Sequence, residues 1–435
     1  MSSRTFPFAR ATRRGAVVAV ASLALTACGG AGDDQTSARD DKDVAAISSD
    51  STAKVTGDPI KIGYAASLSG AQAVNGVAAK AVAHAWQEYT NTHGGILGHP
   101  VEVEVVDTKN TVPGATSVAK TFMQDKDVDA IFLTDLVAEG SMASLFEGTD
   151  VPIISGGGSS DLLWSEVPGV FQDVSGADYA LKTYVDLVKA ADSKKFGWAG
   201  CAEVAVCQAN AELAGPYGET LDMSYTGGQS ISSSASDYTA QCLAFIGDGT
   251  DGIALNIGYG TGTRFASDCI QQGYTGTFSV MNSGFDQTEF GKIAGFKSAG
   301  STNGFPWWAD APVVSTYRGA MKKFSPDGVY SSGNSTAIWS SFELFKKALE
   351  NAKPSTVDRT SAMEAMYTVK DETLDGLLPE PITFTKGQPS TPVGCSWFFN
   401  FDAGDENPTA IAPDKSGNGA AGDLASTCAG YLPKK

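Results

Sequence analysis

Apolar and polar positions from residue 60 onward fall into two alternating rhythms. Ile60-Lys61-Ile62-Gly63-Tyr64-Ala65 reads as a strand, with a turn at Leu68-Ser69-Gly70. Apolar residues at 74, 77, 78, 81, 82, 85, 86 and 89 then repeat with the spacing of one helix face, and Gly94-Gly95 stops that helix. Val101 to Val106 alternates as a second strand ending in Asp107. A helix near 113–124 leads to the apolar strand Ala130-Ile131-Phe132-Leu133. A helix over 138–147 leads to Val151-Pro152-Ile153-Ile154 and then to Ser155-Gly156-Gly157-Gly158-Ser159. Strands alternating with helices predict a parallel sheet covered on both faces.

The same grammar restarts after residue 172. Helices over 176–190, 208–214, 237–246 and 263–272 precede strands at 195–199, 221–225, 252–257 and 276–281 respectively. The expected fold class is α/β, with two doubly wound parallel sheets in series. The length of 435 residues agrees, being more than one core normally serves.

The first residues follow a different pattern. Arg4, Arg10, Arg13 and Arg14 form a basic stretch, and Gly15–Leu25 is an apolar run too short to span a bilayer as a helix. Leu25-Thr26-Ala27-Cys28, followed by Gly29-Gly30, resembles a lipobox. That resemblance implies removal of residues 1–27 as a lipoprotein signal peptide and lipidation of Cys28. Residues 28–57 are polar, rich in aspartate and without aromatics, and read as a disordered tether.

The whole chain has a formal charge of −18, and loss of four signal arginines makes the remainder more negative. Nucleic acid is therefore an unfavourable partner. Six cysteines remain beyond Cys28: Cys201, Cys207, Cys242, Cys269, Cys395 and Cys428. In an exported protein they suggest three disulfides among 15 possible pairings. Sequence neighbourhood favours 201–207, 242–269 and 395–428. The Cys-x5-Cys spacing, with no histidine nearby, argues against a metal or redox site.

The ordered segments resemble the branched-chain amino acid binding protein family of ABC importers, with its type I periplasmic-binding fold. The marks are Leu68-Ser69-Gly70, Gly94-Gly95-Ile96-Leu97-Gly98-His99-Pro100, Asp107, Val151-Pro152-Ile153-Ile154-Ser155 and Gly169-Val170-Phe171-Gln172-Asp173. Gly258-Tyr259 and Asn282-Ser283-Gly284 complete the set. The resemblance covers about 58–390 and implies two lobes joined by three crossings, near 171–174, 303–306 and 380–384. Lobe one is expected over 58–172 plus 305–381, and lobe two over 173–304 plus 382–435. A ligand would sit in the cleft at the carboxyl ends of the strands.

Candidate ligand contacts follow from that placement. In lobe one they are Ser69, then Thr134, Asp135 and Leu136, then Gly157, Gly158, Ser159 and Ser160, whose backbone N–H groups suit a carboxylate. In lobe two they are Glu203, Asn256, Tyr259, Ser283 and Phe285. Trp307 and Trp308 follow the second crossing and would cover an apolar body. Amino-acid-binding members of the family carry an acid where this chain has Asn282-Ser283-Gly284-Phe285. Only Asp135 or Glu203 could replace it, so the resemblance points away from leucine, isoleucine and valine. An uncharged or carboxylate-bearing amphipathic solute is expected instead.

No enzyme is expected. His84, His93 and His99 are the only histidines and lie away from the expected cleft, and HExxH, GxSxG and Walker motifs are absent from the sequence. No catalytic residue, cofactor or metal is expected. The resemblance implies a monomeric extracytoplasmic lipoprotein, anchored by lipid to the outer face of the bacterial cell membrane, that delivers its solute to an ABC permease. The alternative is a ligand-sensing module acting through a signalling partner.

Overall fold

The computed structural model describes residues 42–47, 54–70, 73, 76–157, 161–203, 205–413 and 415–428. Cys28 and its flanking motif, together with Gly158, Ser159 and Ser160, lie outside them. A helical turn over 42–47 (α1) comes first. Five strands then form the first sheet: β1 (Ile60–Ala66), β2 (Val101–Asp107), β3 (Ala130–Thr134), β4 (Ile153–Ser155) and β5 (Val170–Phe171). Their order is β2-β1-β3-β4-β5 and every pair is parallel. The helices between them are α2 (Ala78–Thr92), α3 (Val112–Gln124), α4 (Ala143–Phe146) and α5 (Asp161–Trp164). The helix expected over 138–147 is divided into a 3-10 turn at Glu139–Ser141 and the short α4.

Strand alternation divides the apolar side chains between two faces. Ile62, Tyr64 and Phe132 face one core, while Ala65, Ile131 and Leu133 face another, which includes Ala115, Ala119 and Phe122 of α3. Gly63 is required by close packing, because a Cβ there would stand 2.5 Å from the Phe122 ring.

The second sheet comprises β6 (Lys195–Cys201), β7 (Ser224–Ile231), β8 (Gly252–Asn256), β9 (Thr277–Met281), β10 (Lys297–Thr302), β11 (Cys395–Asp402) and β12 (Thr409–Ala410). The order is β12-β11-β10-β9-β8-β6-β7, with β13 (Thr427–Cys428) paired to β11. β11 runs antiparallel to β10. Helices α6 (Ala177–Ala190), α7 (Ala205–Glu219), α8 (Thr239–Gly247), α9 (Tyr259–Gln271) and α10 (Gln287–Gly291) belong to this half. Three disulfides join Cys201 to Cys207, Cys242 to Cys269 and Cys395 to Cys428. The second ties α8 to α9.

The remaining helices, α11 (Pro312–Phe324), α12 (Gly333–Ala352) and α13 (Arg359–Met366), return to the first sheet. Phe342 of α12 stacks on Trp86 of α2 and Phe132 of β3, with centroids 4.7 and 4.4 Å apart. The chain therefore passes between the sheets three times. The third passage lies later than the expected 380–384. Ile382 pairs with Glu372, and Phe384 packs on Phe171 at 4.9 Å, which keeps both beside the first sheet. The passage falls instead where Ser390 Oγ donates to the Val170 carbonyl at 2.9 Å and Val393 bridges Ser175.

The expected tether is also shorter at its carboxyl end. Asp43 and Ile47 of α1 are buried, and the Asp43 carboxylate meets the Arg318 guanidinium of α11 at 2.6 Å. Opposite charge 275 residues away organises a stretch whose own composition could not.

Candidate functional site

Strand order reverses at β1 in the first sheet and at β6 in the second. Loops leaving the carboxyl ends of β1 and β3, and of β6 and β8, therefore diverge, and open α/β sheets place a ligand crevice at such a switch point. α12 touches the carboxyl ends of both sheets. A Cβ on Gly157, after β4, would lie 3.6 Å from Ala337 Cβ. Gly333 packs so closely on Thr302, at the end of β10, that no side chain fits. These loops form the candidate site.

After β1, one carboxylate shapes the turn. Asp107 accepts the Leu68, Ser69 and Lys109 N–H groups at 3.1, 3.2 and 2.8 Å and the Ser69 hydroxyl at 2.6 Å. Partial burial pushes its pKa up, but these donors together hold it below the usual carboxylate value. Ser69 itself is exposed at the crevice, with its proton committed to Asp107.

After β3, the polar residues turn inward. Thr134 donates to the Gly156 carbonyl at 2.6 Å and lies 2.8 Å from the Tyr64 hydroxyl. Asp135 is fully buried and accepts from Thr108 Oγ1, Asn110 Nδ2 at 3.1 Å, and the Val137 and Ala138 N–H groups at 3.2 and 3.3 Å. Both its oxygens accept protein donors that organise the loop. Leu136 and Val137 are the exposed residues here, at 40% and 46%. Gly157 adopts φ +92°, a conformation glycine enters without strain.

In the second half, Glu203 is exposed but also engaged. It accepts the Ser233 N–H at 2.7 Å and the Ser232 and Ser233 hydroxyls, each at 3.0 Å. Slight burial pushes its pKa up, yet these bonds hold it low. Asn256 closes β8 and Tyr259 opens α9, both half-buried at the second switch point. Ser283 lies in the 3-10 turn Asn282–Gly284.

The aromatic residues expected to cap a ligand are packed into the core. Phe285 lies 5.0 Å from Phe399 and 5.3 Å from Phe401, centroid to centroid. Trp307 packs on Phe285 at 6.4 Å and donates to Gln287 Oε1 at 3.3 Å, while Trp308 packs on Phe399 at 5.4 Å. All three are buried and join the 303–309 passage to the second sheet.

The passages also hold buried polar residues. Asp173 is buried, and both its oxygens accept from the Ser341 hydroxyl of α12 at 2.9 and 3.1 Å. Burial pushes its pKa up to about 7, against the opposing effect of that bond. Asn303 N–H donates to Asn282 Oδ1 at 2.7 Å, linking the second passage to the loop after β9. The signal in the sequence was Gln172-Asp173, polar residues directly after the apolar Val170-Phe171.

The histidines serve separate local roles: His84 lies near Ser325 Oγ, His93 near the Ile47 carbonyl and His99 near the Asp58 carbonyl. Glu380, Cys395 and Cys428 have ligand-type atoms within 4.8 Å of one another, but the two sulfurs are bonded together. Among the described residues, no helix is long and apolar enough to cross a membrane.

Two sheets, each with a switch point at its carboxyl edge, suit a bilobal binding protein. The family model for periplasmic binding proteins matches residues 59–406. The chain belongs to the periplasmic binding protein family. No curated protein matches the chain by sequence. Among solved structures, a fatty acid ABC transporter substrate-binding protein from Thermomonospora curvata is similar at 19% identity and TM-score 0.67, covering 82% of this chain and 93% of that one. A leucine-binding protein from Thermotoga maritima is similar at 16% identity and TM-score 0.64, covering 81% and 98%. An ABC transporter solute-binding protein from R. palustris, in complex with 4-hydroxybenzoate, is similar at 17% identity and TM-score 0.63, covering 81% and 95%. These likenesses establish the type I fold and its two lobes.

Proposed function

We propose that this periplasmic binding protein is a lipid-anchored, extracytoplasmic receptor that captures a small amphipathic solute between its lobes and delivers it to an ABC permease. Lobe one is taken as the first sheet with α11–α13, and lobe two as the second sheet. The candidate contacts are Ser69, Leu136 and Gly157–Ser160 from the first, and Asn256, Tyr259 and Ser283 from the second.

The observation that carries the choice of solute is the state of the two candidate acids. Asp135 and Glu203 already accept several protein donors each. A free amino acid would find its ammonium met only by Oε2 of the exposed Glu203, whose three donors all fall on Oε1, since Asp135 is buried with donors on both oxygens; burying the amine in the cleft is then unfavourable. Exposed Leu136 and Val137 offer apolar surface instead. An uncharged or carboxylate-bearing amphipathic solute satisfies both conditions. Fatty acids and 4-hydroxybenzoate, named for two of the structural relatives, share that chemistry. Native mass spectrometry of the protein purified from its own host tests the reading. A co-purified carboxylic acid lacking an amine supports it; a co-purified α-amino acid contradicts it.

A further inference from the structure

α1 is anchored by more than contact with a surface. Asp43 and Arg318 are both almost fully buried, at 4% and 3% side-chain exposure. Arg318 Nη1 donates to the carbonyls of Trp307 and Ala309 at 2.8 and 2.9 Å, and Nη2 donates to Ser315 Oγ at 3.1 Å. The guanidinium thus joins an N-terminal carboxylate to the backbone of the second passage. The rings of Trp307 and Trp308 in turn rest on Phe285 and Phe399 of the second lobe. Ile47 enters the hydrophobic core, and its carbonyl lies 3.1 Å from His93 Nε2. Gly319 leaves room for the strap, since a Cβ there would stand 2.5 Å from the Asp43 carbonyl oxygen.

We infer that residues 42–47 form a strap that locks onto α11 through Asp43–Arg318 and steadies the second passage between the lobes. A buried guanidinium deprived of its carboxylate is strongly unfavourable, so an undocked strap leaves Arg318 seeking water and loosens its hold on the Trp307 and Ala309 carbonyls. The strap makes the N-terminal segment part of the hinge. If Cys28 is the membrane anchor, tension on the N-terminus reaches the hinge by this route. The inference rests on the two-lobe reading but not on the identity of the solute or on lipidation.

Hydrogen exchange with mass spectrometry, on solute-free protein beginning at residue 28, tests it. Residues 42–47 should be protected in the unaltered chain. Asp43→Asn should speed exchange there by at least about a hundredfold, just under the lower end of what a broken buried ion pair carries. It should also speed exchange at 305–309 while leaving β1 and β8 unchanged. Gly319→Ala keeps every charge and favours helix, so it guards against a charge variant that fails to fold. It should displace the strap by collision and loosen 305–309 in the same way. Unprotected 42–47 in the unaltered chain would overturn the inference. So would variants that free 42–47 without changing 305–309.

Discussion

The carboxylate of Asp173, on the first passage between the lobes, is held by the hydroxyl of Ser341 on α12 at 2.9 and 3.1 Å. Burial raises its pKa to about 7, far above the ordinary carboxylate value. Between those two values the folded state binds more protons than the unfolded state. Stability contributed by this group is therefore present at low pH and lost as pH rises toward about 7. Asp173→Asn should flatten the fall in melting temperature across that interval. Identical pH profiles for the two proteins would contradict the assignment. Asp129, raised to about 6 mainly by burial, acts in the same direction and is present in both proteins.

Asp135 is a loop organiser. Asp135→Ala removes the acceptor for Thr108, Asn110 and two backbone N–H groups. The expected loss is about 2–4 kcal/mol in denaturant unfolding, as buried donors lose their partner. Unchanged stability with weakened solute binding would mean that the carboxylate serves the ligand instead.

The Cys395–Cys428 disulfide ties β13 back to β11 and closes a loop with sequence separation 33. Replacing both cysteines by serine should cost about 3–4 kcal/mol on the chain-entropy account. Peptide mapping without reductant should recover this pair together with 201–207 and 242–269. Other pairings would contradict the structure.

Cys28→Ala should abolish lipid attachment. Intact mass and detergent partitioning measure this directly, and a variant that still carries a lipid-sized increment would rule out Cys28 as the anchor.

The parts of the fold that could be read from sequence were those in which local pattern and tertiary environment agree. β3 and β8 are largely apolar runs because both faces of a parallel sheet are covered. β7 begins later than the expected 221–225, at Ser224, because Tyr225-Thr226-Gly227-Gly228-Gln229 lacks an apolar run and belongs to an edge strand. The positions of the candidate loops also followed from strand order. What their side chains meet did not. Asp135 looked available because Thr108 and Asn110, its donors, come from the loop after β2. Trp307 and Trp308 looked like cleft residues because aromatic character does not distinguish a ligand cover from a core. Asp43 looked unstructured because its partner, Arg318, is 275 residues away.

The proposed solute is amphipathic and carries no amine. A thermal-shift panel of leucine, isoleucine and valine against a medium-chain fatty acid and 4-hydroxybenzoate tests this most directly. A binding carboxylate at 100 times its dissociation constant should stabilise the protein by about 2.7 kcal/mol, with no shift from the amino acids. A clear shift from branched-chain amino acids and none from the carboxylates would contradict the account.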